Sequence, residues 1–302
     1  MKRLLRFTLS IIIFASVYSI IPNDCSAQGW EQLATLSNAP NIPAMAAANG
    51  KIYVMSGTGS GTAVTHEYDP ATDTWSNKAP IPQSTFWSTA SEVGGKIYVM
   101  GGGQAYPGKT YNYIYDPATD SWTKGADLLT GRMYHSAAVA NGKIYLMGGQ
   151  NGDGTSEWYF DEYDPAADSW QRKAQILHNS AWYSGAVGVG SKVYRIAGGG
   201  SNPTLTKDYF DEYDVVTDTW TALTPFPIKL HAPAAVNLNG NIVVAGGYTN
   251  SVSIDSIYLH SPGTEGWGQT FIRLPEPRTY HKAAVIGSYL YIYGGQGNDL
   301  DL

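Results

Sequence analysis

Gly142-Lys143-Ile144-Tyr145-Leu146-Met147-Gly148-Gly149, followed by Tyr163-Asp164-Pro165-Ala166-Ala167-Asp168-Ser169-Trp170, reads as one strand closed by a glycine pair and a second that turns at Asp-Pro and runs into a tryptophan. The cassette recurs. Glycine pairs end at Gly102, Gly149, Gly199, Gly247 and Gly295, with Ser56-Gly57 as the first copy, in steps of 45, 47, 50, 48 and 48 residues. Trp30, Trp75, Trp122, Trp170, Trp220 and Trp267 keep a matching spacing of 45, 47, 48, 50 and 47. That period belongs to the blades of a β-propeller. The expected fold is therefore a single all-β domain of six blades, and the 34 glycines, 22 tyrosines and absence of a sustained helical period agree with it.

Within one repeat, strand a is read at Ala137-Ala138-Val139, strand b at 143–147, strand c ending at Tyr163 and strand d starting near Trp170. Innermost strands crowd the axis, so small residues are favoured there, as in Ala46-Ala47-Ala48, Gly185-Ala186-Val187, Ala234-Ala235-Val236 and Ala283-Ala284-Val285. Asn49-Gly50, Asn141-Gly142 and Asn239-Gly240 supply the positive φ angles of two-residue hairpin turns. The glycine pair leaves room for close approach by a neighbour, and the tyrosine and tryptophan of strands c and d are the rings expected there. Asp164-Pro165 starts the turn between strands c and d.

On these motifs the chain resembles the kelch-repeat family of β-propellers from about residue 29 to 302. The resemblance implies that the N-terminal segment closes the ring, with Trp30 and residues 29–33 as strand d of blade six. The sixth copy has Gly294-Gly295 but no room for a full strand c, which is expected as a stub from residues 299–302 or as absent.

Residues 1–27 differ in character. Lys2, Arg3 and Arg6 precede an apolar run over 7–21, followed by Asn23, Asp24, Ser26 and Ala27, the order of a secretory signal peptide cut after Ala27. The run is shorter than a membrane span and is interrupted by Thr8, Ser10, Ser16 and Ser19. Asn23 and Asp24 before Cys25 do not suit a lipoprotein site. A secreted or periplasmic protein of residues 28–302 follows, with no membrane insertion after cleavage and, since Cys25 leaves with the leader, no thiol. Removing three cations and one carboxylate takes the formal charge from -6 to -8, which argues against nucleic acid as a partner. The domain is expected to act as a monomer.

Gly103 to Thr110 spells a P-loop, yet a strand rather than a phosphate-binding helix should follow, so a loop between strands b and c is expected. The kelch resemblance also brings in copper radical oxidases, whose cofactor joins tyrosine to cysteine; six blades and no cysteine in the mature chain argue against that chemistry. Asp161-Glu162 and Asp211-Glu212 recur in register and are read as solvated strand faces or turn partners. Residues 151–154 lack the ligand pattern of a calcium loop. No metal and no cofactor are expected.

The stronger signal is in the segments that enter strand a and meet at one end of the channel. Arg132, Lys229 and Arg278 stand at matching positions, beside Tyr134, His135, His231, Tyr280 and His281, while other blades bring Phe86, Trp87, Trp182 and Tyr183. Cations among aromatic faces suit an acidic sugar or a carboxylate-bearing peptide. Arg at this place in kelch proteins also serves inter-blade hydrogen bonding, which leaves a structural role open. The function expected is a binding module for a glycan, acidic small molecule or protein partner. The alternatives are an enzyme resembling N-acetylneuraminate mutarotases, with no assignable catalytic acid, and a passive part of a larger surface protein.

Overall fold

The computed structural model describes residues 4–8, 29–37, 40, 42–57, 63–103, 108–151, 158–178, 182–199, 206–249 and 252–295. These form six four-stranded antiparallel sheets and a small hairpin, with no helix among the described residues. Blade one runs Ala44–Ala48, Lys51–Gly57, Ala63–Asp69 and Thr74–Asn77. Blades two to four repeat this from Thr89–Val93, Ser136–Ala140 and Gly185–Val189. Blade five starts at Ala234–Leu238 and carries the hairpin Tyr248–Thr249/Val252–Ser253 before its third strand. Blade six starts at Lys282–Ile286 and Tyr289–Tyr293. The expected six-bladed propeller is what the chain forms.

Hydrophobic contacts form six clusters, each fed by neighbouring blades, so the core is a ring of interfaces rather than one centre. The Tyr-Asp-x-x-x-Asp-x-Trp cassette ties four of the interfaces. Asp73, Asp120, Asp168 and Asp218 adopt positive φ and accept a hydrogen bond from the tyrosine five residues earlier. The same carboxylates accept the amides of Ala34, Ala79, Ala126 and Ala174 from the segment leaving the preceding blade. Trp75, Trp122, Trp170 and Trp220 donate their indole N–H groups to the carbonyls of those same alanines. One alanine is thus held by both its polar groups. Trp30 repeats the grip on the Arg273 carbonyl, at 2.7 Å, and closes the ring as the resemblance implied. Trp267 finds no acceptor among the described residues. Trp122→Phe is accordingly expected to cost about 1–2 kcal/mol in urea unfolding, and Trp267→Phe less; equal losses would remove the grip as the cause.

Three expectations are corrected. Strand c of blade six is neither a stub at 299–302, which lie outside the described residues, nor absent. Leu4–Thr8 fills the slot between Tyr289–Tyr293 and Trp30–Gln32, pairing antiparallel with both. Leu4 and Leu5 face opposite ways and are buried against the clusters on either side of the blade. The second concerns the glycine pairs. A Cβ on Gly101 or Gly246 would meet not a tyrosine or tryptophan but the next blade's histidine, His135 or His281, at 2.8 and 2.6 Å, and a backbone carbonyl at 2.8 and 2.6 Å. Both glycines also hold φ near +60°.

The paired carboxylates are not solvated faces either. Glu162 lies opposite Tyr145, accepts its hydroxyl at 2.8 Å and pairs with Lys143 at 2.6 Å. Tyr53, Lys51 and Glu67 repeat the arrangement in blade one, as do Tyr194, Lys192 and Glu212 in blade four. In blades one, three and four both polar side chains of the Lys-x-Tyr thus answer the glutamate on strand c, whereas in blade two Lys96 reaches Asp116 and Tyr98 stands opposite Ile114. Asp161 and Asp211 are buried, and each requires a cation.

Candidate functional site at the channel mouth

Strand a of every blade is entered through a residue two positions before its first. Those residues are Ile42, Trp87, Tyr134, Tyr183, Ala232 and Tyr280. All six have positive φ, between 49 and 61°, although none is glycine. Left-handed backbone at non-glycine residues costs ~1–3 kcal/mol each and persists where surrounding structure enforces it. Part of that enforcement is visible: the Tyr183 amide donates to the Tyr134 carbonyl and the Ala232 amide to the Tyr183 carbonyl, both at 3.0 Å. The strained ring points its side chains over the channel. Trp87 meets Tyr134, Tyr183 and Tyr280 at centroid distances of 4.9, 5.5 and 6.0 Å, and Tyr183 meets Tyr134 and Tyr280 at 4.8 and 5.1 Å. These rings come from four blades.

Beneath them is a cavity of about 170 Å³, and the residues at or next to the start of each strand a form its wall. Five of those first positions carry Ala44, Thr89, Ser136, Gly185 and Ala234; the sixth is Lys282. Lys282 is the only lysine or arginine lining the cavity, and no aspartate or glutamate lines it among the described residues. It makes no ion pair with them. Burial without a compensating anion pushes its amine down to about 8. A second cavity of about 320 Å³ occupies the alanine-rich remainder of the channel, where Glu92 and Asn237 are its polar side chains of note.

The structure divides the residues expected at this site. Tyr134, His135, Tyr183, Tyr280 and His281 line the cavity; Arg132, Trp182, Lys229, His231 and Arg278 do not. Arg132 is fully buried, ion-paired with Asp161 of the blade its segment enters and donating to the Tyr159 carbonyl at 3.3 Å. Arg278 is buried, donating to the Gly294 carbonyl at 3.0 Å and to Glu276 at 2.6 Å. Both guanidiniums are taken up structurally, each tying the segment that carries it to the blade this segment enters. Lys229 is exposed to solvent, Trp182 packs behind Tyr134 at 5.6 Å, and His231 lies under Tyr183 at 4.8 Å. Burial holds His135 and His281 down to about 3 and His231 to about 4, with Lys282 adding to the effect on the first two. All three imidazoles are neutral at pH 7. Lys282 escaped sequence reasoning, yet a lysine in a column of small residues was there to be read once the six repeats are aligned on strand a.

The P-loop-like segment enters strand Asn112–Asp116, as a loop would; residues 104–107 and 152–157 lie outside the described ones. Among the described residues no group of three or more His, Cys, Asp or Glu could hold a metal.

A family profile described as the KLHDC2/KLHL20/DRC7 Kelch-repeats domain matches residues 87–295. An F-box/kelch-repeat protein of Arabidopsis thaliana is 34% identical over 96 residues, 31% of this chain and 25% of that protein. Kelch-like protein 33 of Homo sapiens is 30% identical over 79 residues, 26% of this chain and 15% of its own length. The matches thus span a quarter or less of those relatives. The solved structure of YjhT superposes with a TM-score of 0.73 at 22% identity, covering 86% of this chain and 93% of that one, a likeness of fold.

Proposed function

We propose that this chain, which belongs to the kelch-repeat family of β-propellers, is a binding module that takes a small carboxylated sugar at the channel mouth. One observation carries the reading: among the described residues, one lysine without an ion pair stands in a cavity walled by aromatic rings and lined by no carboxylate. An aromatic face suits the apolar side of a sugar ring, a lysine its carboxylate, and Ser88, Thr89 and Ser184 its hydroxyls. The charge donor differs from the arginines expected on sequence, because both guanidiniums are already engaged outside the cavity, Arg132 by Asp161 and Arg278 by Glu276 and the Gly294 carbonyl. With Lys282 near 8, most of the amine is protonated at pH 7 and holds an anion.

Ring opening of the same sugar, the mutarotase reading, would draw its proton carriers from Lys282 and the tyrosine hydroxyls, since the neutral imidazoles are poor bases. Export is part of the proposal on the composition of residues 1–27. Cleavage before Gln28 would also remove Leu4–Thr8, so a processed chain and six complete blades are alternatives that intact mass separates.

Titration calorimetry with N-acetylneuraminate, glucuronate and neutral glucose tests the site. Both acids are expected to bind and glucose not. Lys282→Met should weaken the acids roughly ten- to a hundredfold, about 1.5–3 kcal/mol, and Lys282→Arg should retain most affinity. Failure of both acids to bind overturns the reading, and unchanged affinity in Lys282→Met removes the lysine from it. Tight binding of an acidic peptide instead would assign the mouth to a protein partner.

A further inference from the structure

We infer that Lys282 is also a covalent capture point, forming an imine with the carbonyl carbon of a small polar aldehyde or ketone, such as an open-chain reducing sugar or a 2-oxo acid, bound beneath the aromatic ring of the channel mouth. The inference rests on the binding reading above and assigns the same lysine a second kind of chemistry.

Three features of the cavity support it. First, a lysine held by a carboxylate is locked in its charged form, and Lys282 has no such partner among the described residues. By contrast Lys51, Lys143 and Lys192, at the start of strand b in their blades, are each clamped to two acids. Second, the position is half-buried in the wall of the cavity. Trp87, Tyr134, Tyr183 and Tyr280 line the same cavity and pack on one another, so a carbonyl compound that enters is held beside the amine. Third, the amine stands on the first residue of a strand in a rigid ring, where the facing positions are small, leaving space at its tip for a substrate.

The amine attacks in its neutral form. Its nitrogen lone pair forms the C–N bond as the carbonyl π pair moves to oxygen; the amine's two hydrogens then leave with that oxygen as one water, and nothing is oxidised or reduced. An amine near 8 has about two orders of magnitude more neutral form at pH 7 than an ordinary lysine near 10.4, partly offset by weaker intrinsic nucleophilicity. The titratable groups facing it are Tyr134, Tyr183, Tyr280, His135 and His281, of which the histidines are neutral and Tyr280 is pushed up to about 12. None of them adds negative charge near pH 7 to stabilise the ammonium.

The test is reductive trapping on the full chain with glyoxylate and cyanoborohydride at pH 7, followed by peptide mapping of every lysine. Lys282 is expected to be modified at least roughly tenfold faster than solvent-exposed Lys96 or Lys229, and faster still as the pH rises toward 8. N-acetylneuraminate in excess should slow Lys282 and leave the others unchanged. Labelling that follows exposure, with Lys282 slowest or unmodified, overturns the proposal, as does a Lys282 rate unaffected by unfolding the chain in urea. In Lys282→Arg the channel label should vanish while Lys96 and Lys229 label at their former rates, and calorimetry of the acids on the unsubstituted chain reads binding separately from capture. Circular dichroism on that variant, together with competition on the unsubstituted chain, keeps the result independent of any folding defect.

Discussion

Lowering the pH from 7 to 5 is expected to cost this protein on the order of 6 kcal/mol, which for a chain of this length lowers the melting temperature by roughly 10 °C or more. The cause is the three buried imidazoles around the mouth. In the unfolded chain each titrates near 6.5, whereas in the fold His135 and His281 are held down to about 3 and His231 to about 4. Between those values the unfolded state binds more protons than the native one, so stability falls as pH falls through that window. At pH 5 each site has lost about 1.5 pH units of linkage, on the order of 2 kcal/mol apiece. The many aspartates with depressed values, among them Asp73, Asp120 and Asp168, keep their contribution above about 4 and lose it only in stronger acid. Buried Asp211 acts with the opposite sign, because desolvation raises its carboxyl above the unfolded value and protonation then favours the native state. Thermal melts at pH 7, 6 and 5 measure the slope. His281→Gln should remove about a third of it, and a flat melting temperature over this range would show that the imidazoles are not buried neutral.

The same residues show what was and was not legible beforehand. Repeats, hairpin turns and the tyrosine–aspartate–tryptophan grip are local or recur at a fixed step, so periodicity exposes them. Arg132 and Asp161 are both visible in sequence, but their pairing depends on where a side chain points from the strained segment before strand a. Blade four solves the equivalent problem differently: at the place of Arg132 the sequence has Ala181, and Arg195 on strand b reaches the buried Asp211 instead, at 3.3 Å. A rule based on a cation at one fixed offset therefore marks structural residues, whereas the channel is marked by Lys282, which breaks a column of small residues. Leu4–Thr8 was hidden for another reason. Its partner strand lies some 280 residues away, and a basic start followed by apolar residues has the composition of a leader.

Deleting residues 1–8 is the change expected to injure the ring most. Leu4–Thr8 is an interior strand, with five residues paired to strand b and three to strand d of blade six. Its removal uncovers Tyr289–Tyr293 along one whole edge and leaves Trp30–Gln32 without its ladder. Leu4 is fully buried beside Tyr68 and Tyr293, and Leu5 nearly so beside Leu238 and Ile292, so two apolar side chains worth about 1.5–3 kcal/mol each are lost. The Leu4 carbonyl also accepts the Leu33 amide at 3.0 Å, on the segment that leads into blade one. The Arg6–Glu31 ion pair, at the surface, adds little. With the orphaned backbone groups included, the expected loss is on the order of 5 kcal/mol, and the bare strand edge should promote association between copies. Melting curves and light scattering on the full chain, the chain lacking residues 1–8 and the chain starting at Gln28 provide the comparison. A synthetic peptide of residues 2–9 should restore part of the melting temperature to the shortened chains. If the chain starting at Gln28 melts with the full one and ignores the peptide, blade six does not depend on Leu4–Thr8, and removal of a leader before Gln28 becomes compatible with a closed ring.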